Sequence, residues 1–275
     1  MCIRNFISGI VLVAWARWQG KQFPRGRDLW LTALYGILTI GIGNGTLAVA
    51  ELWTPTGLAS LFITTGPFLY AGMDAVMPGG EKLHGPTILG LLVGFLGVLG
   101  LVAPAAWNLL TGGQFESGGG IVLGFVVLQF SGICWALGSL LQRNRKVNVH
   151  PFVLAGVQQV ATGIAFIIPA LLEPQQPEWN ARGLGAVLYL AVFGGIVGYG
   201  CYMTALSRLP LAIVSIYTYV NPVVAVFLGW FAYREPFGVR EAAAMAVIFL
   251  GVWLVRRASV AAEKLRAHGS TQSRR

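Results

Sequence analysis

Polar side chains inside long apolar runs are the first candidates for chemistry in this sequence. Arg4, Asn44 and the adjacent pair Gln158 and Gln159 each interrupt a stretch of mostly apolar residues. A charged or amide group is costly in hydrocarbon, so it normally faces a cavity, a solute or a hydrogen-bonding partner. These residue types suit the binding of a polar solute, and each amide could equally bond a neighbouring helix.

A second candidate is the pair formed by Arg4 and Glu51. The sequence places Arg4 in the outer half of the first apolar run and Glu51 at the outer end of the second. A guanidinium and a carboxylate at one membrane face would together hold a charged or zwitterionic solute. The alternatives are a structural ion pair, or two side chains that reach out to water at the interface.

Aromatic residues provide a further candidate surface. Tyr217, Tyr219 and Asn221 lie close together in one run, and other runs contribute Tyr70, Trp135, Tyr199 and Tyr202. A cavity lined by aromatic rings suits amphipathic solutes through stacking and cation–π contact. For rings near the ends of runs, the alternative is an aromatic belt at the membrane interface.

Two prolines mark places where helices would be interrupted. Pro67 and Pro222 lie near the centres of their runs, where each removes a backbone donor and frees a carbonyl for another partner. Broken helices of this kind often carry the solute site of a transporter. The alternative is that they only bend the helices for packing.

These residues must be positioned by membrane-spanning helices. The chain of 275 residues is 56% hydrophobic and only 11% charged, with a mean hydropathy of +0.69. Runs of about 20 apolar residues have the length of helices that cross a bilayer, and they do not alternate as barrel strands would. We therefore predict an all-α integral membrane protein. The nine predicted spans are 1–18, 29–52, 57–77, 86–107, 120–142, 151–172, 184–206, 211–233 and 240–255.

The net charge of +9 follows the loops rather than one folded surface. If the C-terminus lies in the cytoplasm, 15 of the 19 Lys and Arg residues fall on the inner side. This is the positive-inside asymmetry of membrane proteins, and it argues against nucleic-acid binding. We predict a multi-pass protein of the cell inner (plasma) membrane with a basic cytoplasmic tail at 256–275.

The chain contains an internal repeat. Shifting the sequence by 155 residues places Gly43, Gly45, Pro55 and Pro67 on Gly198, Gly200, Pro210 and Pro222, and a shift of 154 places 95–98 on 249–252. The repeat crosses five predicted spans, an odd number, so the two halves must be inverted relative to each other. We predict a first half at 1–107 and a second half at 120–255.

The repeat also predicts a missing element. The partner of the span 120–142 would precede residue 1, so we expect nine helices of a ten-helix architecture whose first helix is absent. A protein built from nine helices is the alternative.

The motifs of both halves resemble the EamA family of the drug/metabolite transporter (DMT) superfamily. They include 43–45 (GNG), 50–51 (AE), 55–61 (PTGLASL), 80–83 (GEKL), 221–222 (NP), 234–236 (REP) and 251–252 (GV). The resemblance covers about 250 residues. It implies two inverted five-helix repeats and the export of metabolites, amino acids or toxic compounds.

We therefore expect a secondary transporter that exports a small metabolite, amino acid or drug-like solute by alternating access. The alternative is a non-transporting or degenerate subunit that lacks the first helix. The spans offer no nucleophile with a base, no paired carboxylates and no metal-ligand spacing. We therefore predict that the protein is not an enzyme and that it holds no metal ion and no cofactor. A proton or a counter-solute is a candidate coupling partner, and a homodimer is a candidate assembly.

Overall fold

The computed structural model confirms the all-α class. It describes residues 1–77, 85–111, 115–145, 147–172, 180–209, 238–239, 242–251 and 253–254, with single residues at 214, 217, 224, 231 and 257. Every regular element within these ranges is a helix. Seven of the nine predicted spans coincide with described helices, and 242–251 lies inside an eighth. The predicted span 211–233 falls almost wholly outside the described residues.

The helices begin and end close to the predicted bounds, because polar loops and glycines delimit each apolar run. They are α1 (Cys2–Trp18), α2 (Arg27–Gly36), α3 (Gly45–Ala50), α4 (Thr56–Ile63), α5 (Gly66–Val76), α6 (Gly85–Leu110), α7 (Phe115–Asn144), α8 (Pro151–Ala165), α9 (Ile167–Leu172), α10 (Ala181–Tyr189) and α11 (Gly200–Arg208). Residues 242–251 form a further helix.

Four helices in the described ranges are long and apolar enough to cross a membrane: Arg27–Ala50, Gly120–Asn144, Pro151–Leu172 and Ala181–Arg208. Large apolar side chains such as Ile10, Val126, Ile168 and Phe193 are exposed along these and neighbouring helices. Exposing such a surface to water is unfavourable in free energy, whereas contact with lipid chains is not. The chain is therefore a multi-pass membrane protein.

Two of these helices contain a π-helical segment. The first π segment, Ile37–Asn44, joins α2 to α3, and the second, Leu190–Tyr199, joins α10 to α11. A shift of 155 residues maps 37–44 onto 192–199, so both segments end at equivalent positions, each followed by a glycine. Because π-helices are rare, this match supports the internal repeat independently of residue identities.

The span that contains Pro67 is interrupted. Helix α4 ends at Ile63, and Pro67 lies in the first turn of α5. The Phe62 carbonyl at this break accepts hydrogen bonds from Thr65 Oγ1 (2.9 Å) and from Gln129 Nε2 (3.3 Å). The Thr65 backbone N–H also donates to this carbonyl (3.4 Å). A neighbouring helix thus adds a hydrogen bond to a backbone carbonyl at the break. The equivalent Pro222 lies outside the described residues.

The chain divides into two compact units that cut across the sequence halves. Unit 1 comprises Met1–Gly45 and Cys134–Pro210, and unit 2 comprises Thr46–Ile133 and Leu211–Arg275. Each unit therefore combines a piece of the first half with a piece of the second. The repeat boundaries at 107 and 120 stay a prediction.

In unit 1, equivalent helices of the two halves run in opposite directions. A Cβ at Gly9 would lie 2.7 Å from Val160 N, one at Gly156 would lie 3.2 Å from Val13 N, and one at Gly163 would meet Phe6. As the number rises along α1, its neighbour's number falls along α8. The two helices are therefore antiparallel, as the odd number of spans between them predicted.

In unit 2, the same relation holds for α6 and the helix 242–251. A Cβ at Gly97 would lie 2.9 Å from Ile248 N, and one at Gly251 would overlap the Gly94 backbone. Gly97 is equivalent to Gly251 and Gly94 to Ile248, so the contact is reciprocal, as a two-fold axis requires. The core of this unit adds Ala50, Ala59, Phe62, Leu128 and Ala244.

We predict that Gly9→Ala destabilises the protein by about 1–3 kcal/mol, because the added methyl group would press on the α8 backbone. Gly185→Ala is the matched control, since nothing lies within 4 Å of the Cβ that it would add. Thermal unfolding in detergent measures both variants. Equal melting temperatures for the two would contradict this account of the α1–α8 contact.

Candidate functional site

A buried amide lies at the centre of unit 1. The side chain of Gln158, on α8, is 1% exposed. Its Nε2 donates to Gln142 Oε1 (2.9 Å), and its Oε1 accepts from the Tyr199 hydroxyl (2.5 Å). The three residues come from α8, α7 and the second π segment. One amide thus links three membrane helices through hydrogen bonds that lipid cannot supply.

The neighbouring amide, Gln159, makes a similar set of bonds on the other side of α8. Its Nε2 donates to the Gly195 carbonyl (3.2 Å) in the second π segment, and its Oε1 accepts from the Ser8 hydroxyl of α1. Both Gln159 and Ser8 are buried. The two adjacent glutamines therefore hold the second π segment against α8 from two directions.

Three aromatic rings lie beside Gln158. The Trp135 ring centroid lies 6.2 Å from that of Tyr199 and 5.5 Å from that of Tyr202, and the two tyrosine rings stack at 5.8 Å. The Tyr202 hydroxyl donates to Ser139 Oγ (2.6 Å). We call Ser139, Gln142, Gln158 and these three rings the polar–aromatic cluster. It offers both ring faces and hydrogen-bonding groups within apolar helices.

The indole nitrogen of Trp135 is a donor that finds no acceptor among the residues the structure describes. Trp135 Nε1 is buried, and no atom of the described residues bonds to it. Leaving such a donor unsatisfied costs about 1–3 kcal/mol. A donor held in this way beside two tyrosine rings is suited to an acceptor atom that arrives with a solute or a water molecule.

A second group of unsatisfied polar atoms lies at the α1–α8 contact. Arg4 Nε, Asn5 Nδ2 and Thr162 Oγ1 are buried, with no hydrogen-bond partner among the described residues. They lie in the layer of this contact where Phe6 faces Gly163. The atoms are two nitrogen donors and a hydroxyl, so this layer suits a group that presents acceptors.

The structure brings together some of the predicted site residues and separates others. Trp135, Gln158 and Tyr199 belong to the polar–aromatic cluster, Gln159 adjoins it, and Arg4 lies in the same unit. Asn44 is the last residue of the first π segment and is partly buried. Glu51, Tyr70 and Tyr217 belong to unit 2, so the pairing of Arg4 with Glu51 stays a prediction. Tyr219 and Asn221 lie outside the described residues.

Sequence reasoning missed three members of these networks: Ser8, Ser139 and Gln142. A serine in an apolar helix is unremarkable, since its hydroxyl can bond its own helix carbonyls. The usable signal was spacing. Trp135, Ser139 and Gln142 stand at positions i, i+4 and i+7 of one helix, which places all three on one face of α7.

A cavity at one end of unit 1 leads toward the cluster. It has a volume of about 310 Å³, and its lining includes Gln142, Leu154, Met203 and Ser207. Gln142 therefore faces this cavity and also bonds Gln158. No group of three His, Cys, Asp or Glu side chains in the described ranges is close enough to hold a metal ion.

The same end of unit 1 is rich in cations. Here Arg17 lies in the last turn of α1, α8 begins after His150, and α11 ends at Arg208; we call it the basic end. Arg145 donates from Nη2 (2.6 Å) and Nε (3.0 Å) to Asp28 Oδ1, joining the end of α7 to the start of α2. Burial lowers the pKa of His150, and the charges of Lys21 and Arg208 lower it further.

Inverted membrane helices around a polar–aromatic centre define a class of polytopic membrane proteins that move or bind solutes within the bilayer. The model of the EamA-like transporter family matches residues 1–103 and 122–257. The chain therefore belongs to the EamA-like transporter family, as its motifs predicted.

Two of the relatives that match this chain are named as transporters. An uncharacterized inner membrane transporter of Escherichia coli (strain K12), YedA, is 29% identical over 92% of this chain and 79% of its own length. An uncharacterized transporter of Bacillus subtilis (strain 168), YvbV, is 23% identical over 94% of this chain and 82% of its own. A chloroplastic WAT1-related protein of Arabidopsis thaliana is 25% identical over 90% of this chain and 60% of its own.

A solved crystal structure of a protein has the same fold. It matches with a TM-score of 0.66 at 23% sequence identity, covering 92% of this chain and 86% of that one. At this identity the likeness concerns the fold alone.

We predict that His150 makes the protein less stable in acid. Because its pKa is lower in the folded than in the unfolded chain, the unfolded chain binds the proton more readily. The stability is full above the ordinary pKa of 6.5 and falls as the pH decreases through the folded value.

The measurement is the melting temperature between about pH 8 and about pH 5, the range in which histidine changes its charge. His150→Asn keeps a side-chain acceptor for Phe152 N at the start of α8 but does not titrate, so its acid loss should be smaller. His268→Asn, in the tail, is the control. An acid loss that is unchanged in His150→Asn would contradict the prediction.

Proposed function

We propose that the chain is a secondary transporter that moves a small polar or amphipathic solute across the cell inner membrane. The observation that carries this proposal is the polar–aromatic cluster with its unsatisfied Trp135 Nε1. A purely structural network in lipid would be expected to satisfy its own donors. Here a donor is left over beside two tyrosine rings that can stack on a solute.

The chemistry of the cluster narrows the solute class. Amide, hydroxyl and indole groups bond neutral or weakly charged polar atoms, and the rings favour flat or cationic groups. Amino acids and amphipathic drug-like molecules have both features. The unsatisfied donors near Arg4 and Thr162 would suit a carboxylate on the same solute, and we include Asn44 as a further candidate contact.

Alternating access is the mechanism we propose, with export as its direction. Support comes from the antiparallel equivalent helices in each unit, which are the structural basis of inverted-repeat transporters. The cavity lined by Gln142 would be the opening on one side. The basic end fits the cytoplasmic face by the positive-inside rule, and the same rule supports our proposal of a cytoplasmic C-terminus. A proton or counter-solute would supply the driving force.

The first test is transport by the full chain in proteoliposomes. Radiolabelled amino acids and fluorescent cationic dyes are the probes, and cells that overproduce the protein are screened in parallel for resistance to amino-acid analogues. We expect movement of at least one solute that carries both a polar group and a flat or aliphatic body. Empty liposomes and untransformed cells set the background, and activity no greater than this background across the panel would contradict the proposal.

The second test removes the unsatisfied donor alone. Trp135→Phe keeps an aromatic ring but deletes Nε1, which bonds nothing in the described residues. If Nε1 donates to the solute, the loss of one hydrogen bond should raise the apparent KM by about two- to tenfold. Because the substitution removes no hydrogen bond within the described residues, the melting temperature should not fall for that reason.

Trp107→Phe is the matched control, since Trp107 is 67% exposed. It should transport like the unmodified protein. If Trp135→Phe and Trp107→Phe have the same KM, Nε1 does not bind the solute.

A further inference from the structure

A large polar cavity lies at the basic end of unit 1, separate from the polar–aromatic cluster. Its volume is about 870 Å³, within the usual range of small-ligand sites. The loop between α1 and α2 forms one wall, and residues 147–149 of the loop between α7 and α8 form another. We call it the basic pocket.

Cations dominate the lining of the basic pocket. Arg17, Lys21 and Arg25 contribute three positive charges, and Asp28 is the one carboxylate among the described lining residues. Asp28 is already bonded to Arg145, and none of the three lining cations forms an ion pair among the described residues. The pocket therefore carries positive charge that the described protein does not neutralise.

Local packing holds one of these cations, Arg17, in position. The Arg17 guanidinium lies over the Phe23 ring, 5.3 Å from its centroid, in a cation–π contact. Gln22 and Asn148 in the lining add neutral hydrogen-bonding groups. Nearby, burial lowers the pKa of His150, and the positive charges of Lys21 and Arg208 lower it further.

Two tryptophans mark the depth of the pocket in the membrane. Trp18 ends α1 and is 83% exposed, and Trp30 lies in the first turn of α2 and is 66% exposed. Exposed tryptophans at helix ends characteristically lie at the level of lipid headgroups. The pocket is bounded by the loop between these two residues, so it opens at the depth where lipid phosphates lie.

We propose that the basic pocket binds the phosphate group of an anionic phospholipid through Arg17, Lys21 and Arg25. Basic pockets between membrane helices at the cytoplasmic side are suited to anionic headgroups, because every cation near the surface adds to the attraction. A free phosphate ion has the same chemistry but no acyl chains to lie against the exposed side chains of Trp18, Leu29 and Trp30.

The experiment titrates the purified full chain, in a neutral detergent, with a short-chain phosphatidylglycerol. Native mass spectrometry counts the bound molecules. Parallel titrations use phosphatidylcholine of the same chain length and inorganic phosphate. The variants are Lys21→Gln and the triple change Arg17→Gln, Lys21→Gln, Arg25→Gln, with Arg182→Gln as control. Arg182 is exposed in the first turn of α10, at the opposite end of the span that reaches the basic end at Arg208.

We expect phosphatidylglycerol to bind more tightly than phosphatidylcholine. The triple variant should weaken binding at least about tenfold, Lys21→Gln less, and Arg182→Gln not at all. Size-exclusion profiles and melting temperatures verify that each variant is folded. Equal binding of the two lipids, or equal loss in Arg182→Gln, would overturn the proposal. Tight binding of inorganic phosphate that displaces the lipid would assign the site to a free anion and overturn the lipid assignment.

Discussion

The structure of unit 1 depends on one constraint: polar groups inside lipid must be satisfied by other parts of the protein. Gln158 and Gln159 meet this constraint only because α1, α7, α8 and the second π segment lie close enough for side chains to bond across them. Glycines make that approach available, since a Cβ at Gly9 or Gly36 would collide with α8. The glycines allow the helices to approach closely, and the buried amides then bond across the contact. Each feature would be unfavourable without the other.

The same constraint explains why one unsatisfied donor is informative. Gln142, Gln158, Tyr199 and Tyr202 bond one another or Ser139 within the polar–aromatic cluster, whereas Trp135 Nε1 has no partner in the described part of the chain. At the surface of a soluble protein, water would satisfy such a group. In a helix bundle surrounded by hydrocarbon, the group retains its full desolvation cost until something with an acceptor occupies the adjacent space. When a solute supplies an acceptor, relief of this desolvation penalty adds to the binding free energy that the other contacts provide.

Much of the fold followed from the sequence, and much less of the site did. Apolar run length gave the helix bounds, and an odd number of spans between repeats gave the antiparallel relation of α1 to α8. Gln158, Gln159, Tyr199 and Trp135 were identified because a polar or aromatic group in a span is conspicuous. Ser8 and Ser139 were not, since small hydroxyls are common in apolar helices and their partners lie more than 60 residues away in sequence. The π segments left no trace in hydropathy, because a wider helical turn changes backbone pairing and not residue type.

The two π segments also bear on what the halves of the chain have in common. They end at equivalent positions, yet the residues at the equivalent positions 37–44 and 192–199, ILTIGIGN and VFGGIVGY, differ at most sites. A backbone distortion that persists while its side chains change is held by the geometry around it and not by one residue. The widened turn is therefore common to the two halves at the level of the backbone, where a comparison of residue types alone would miss it.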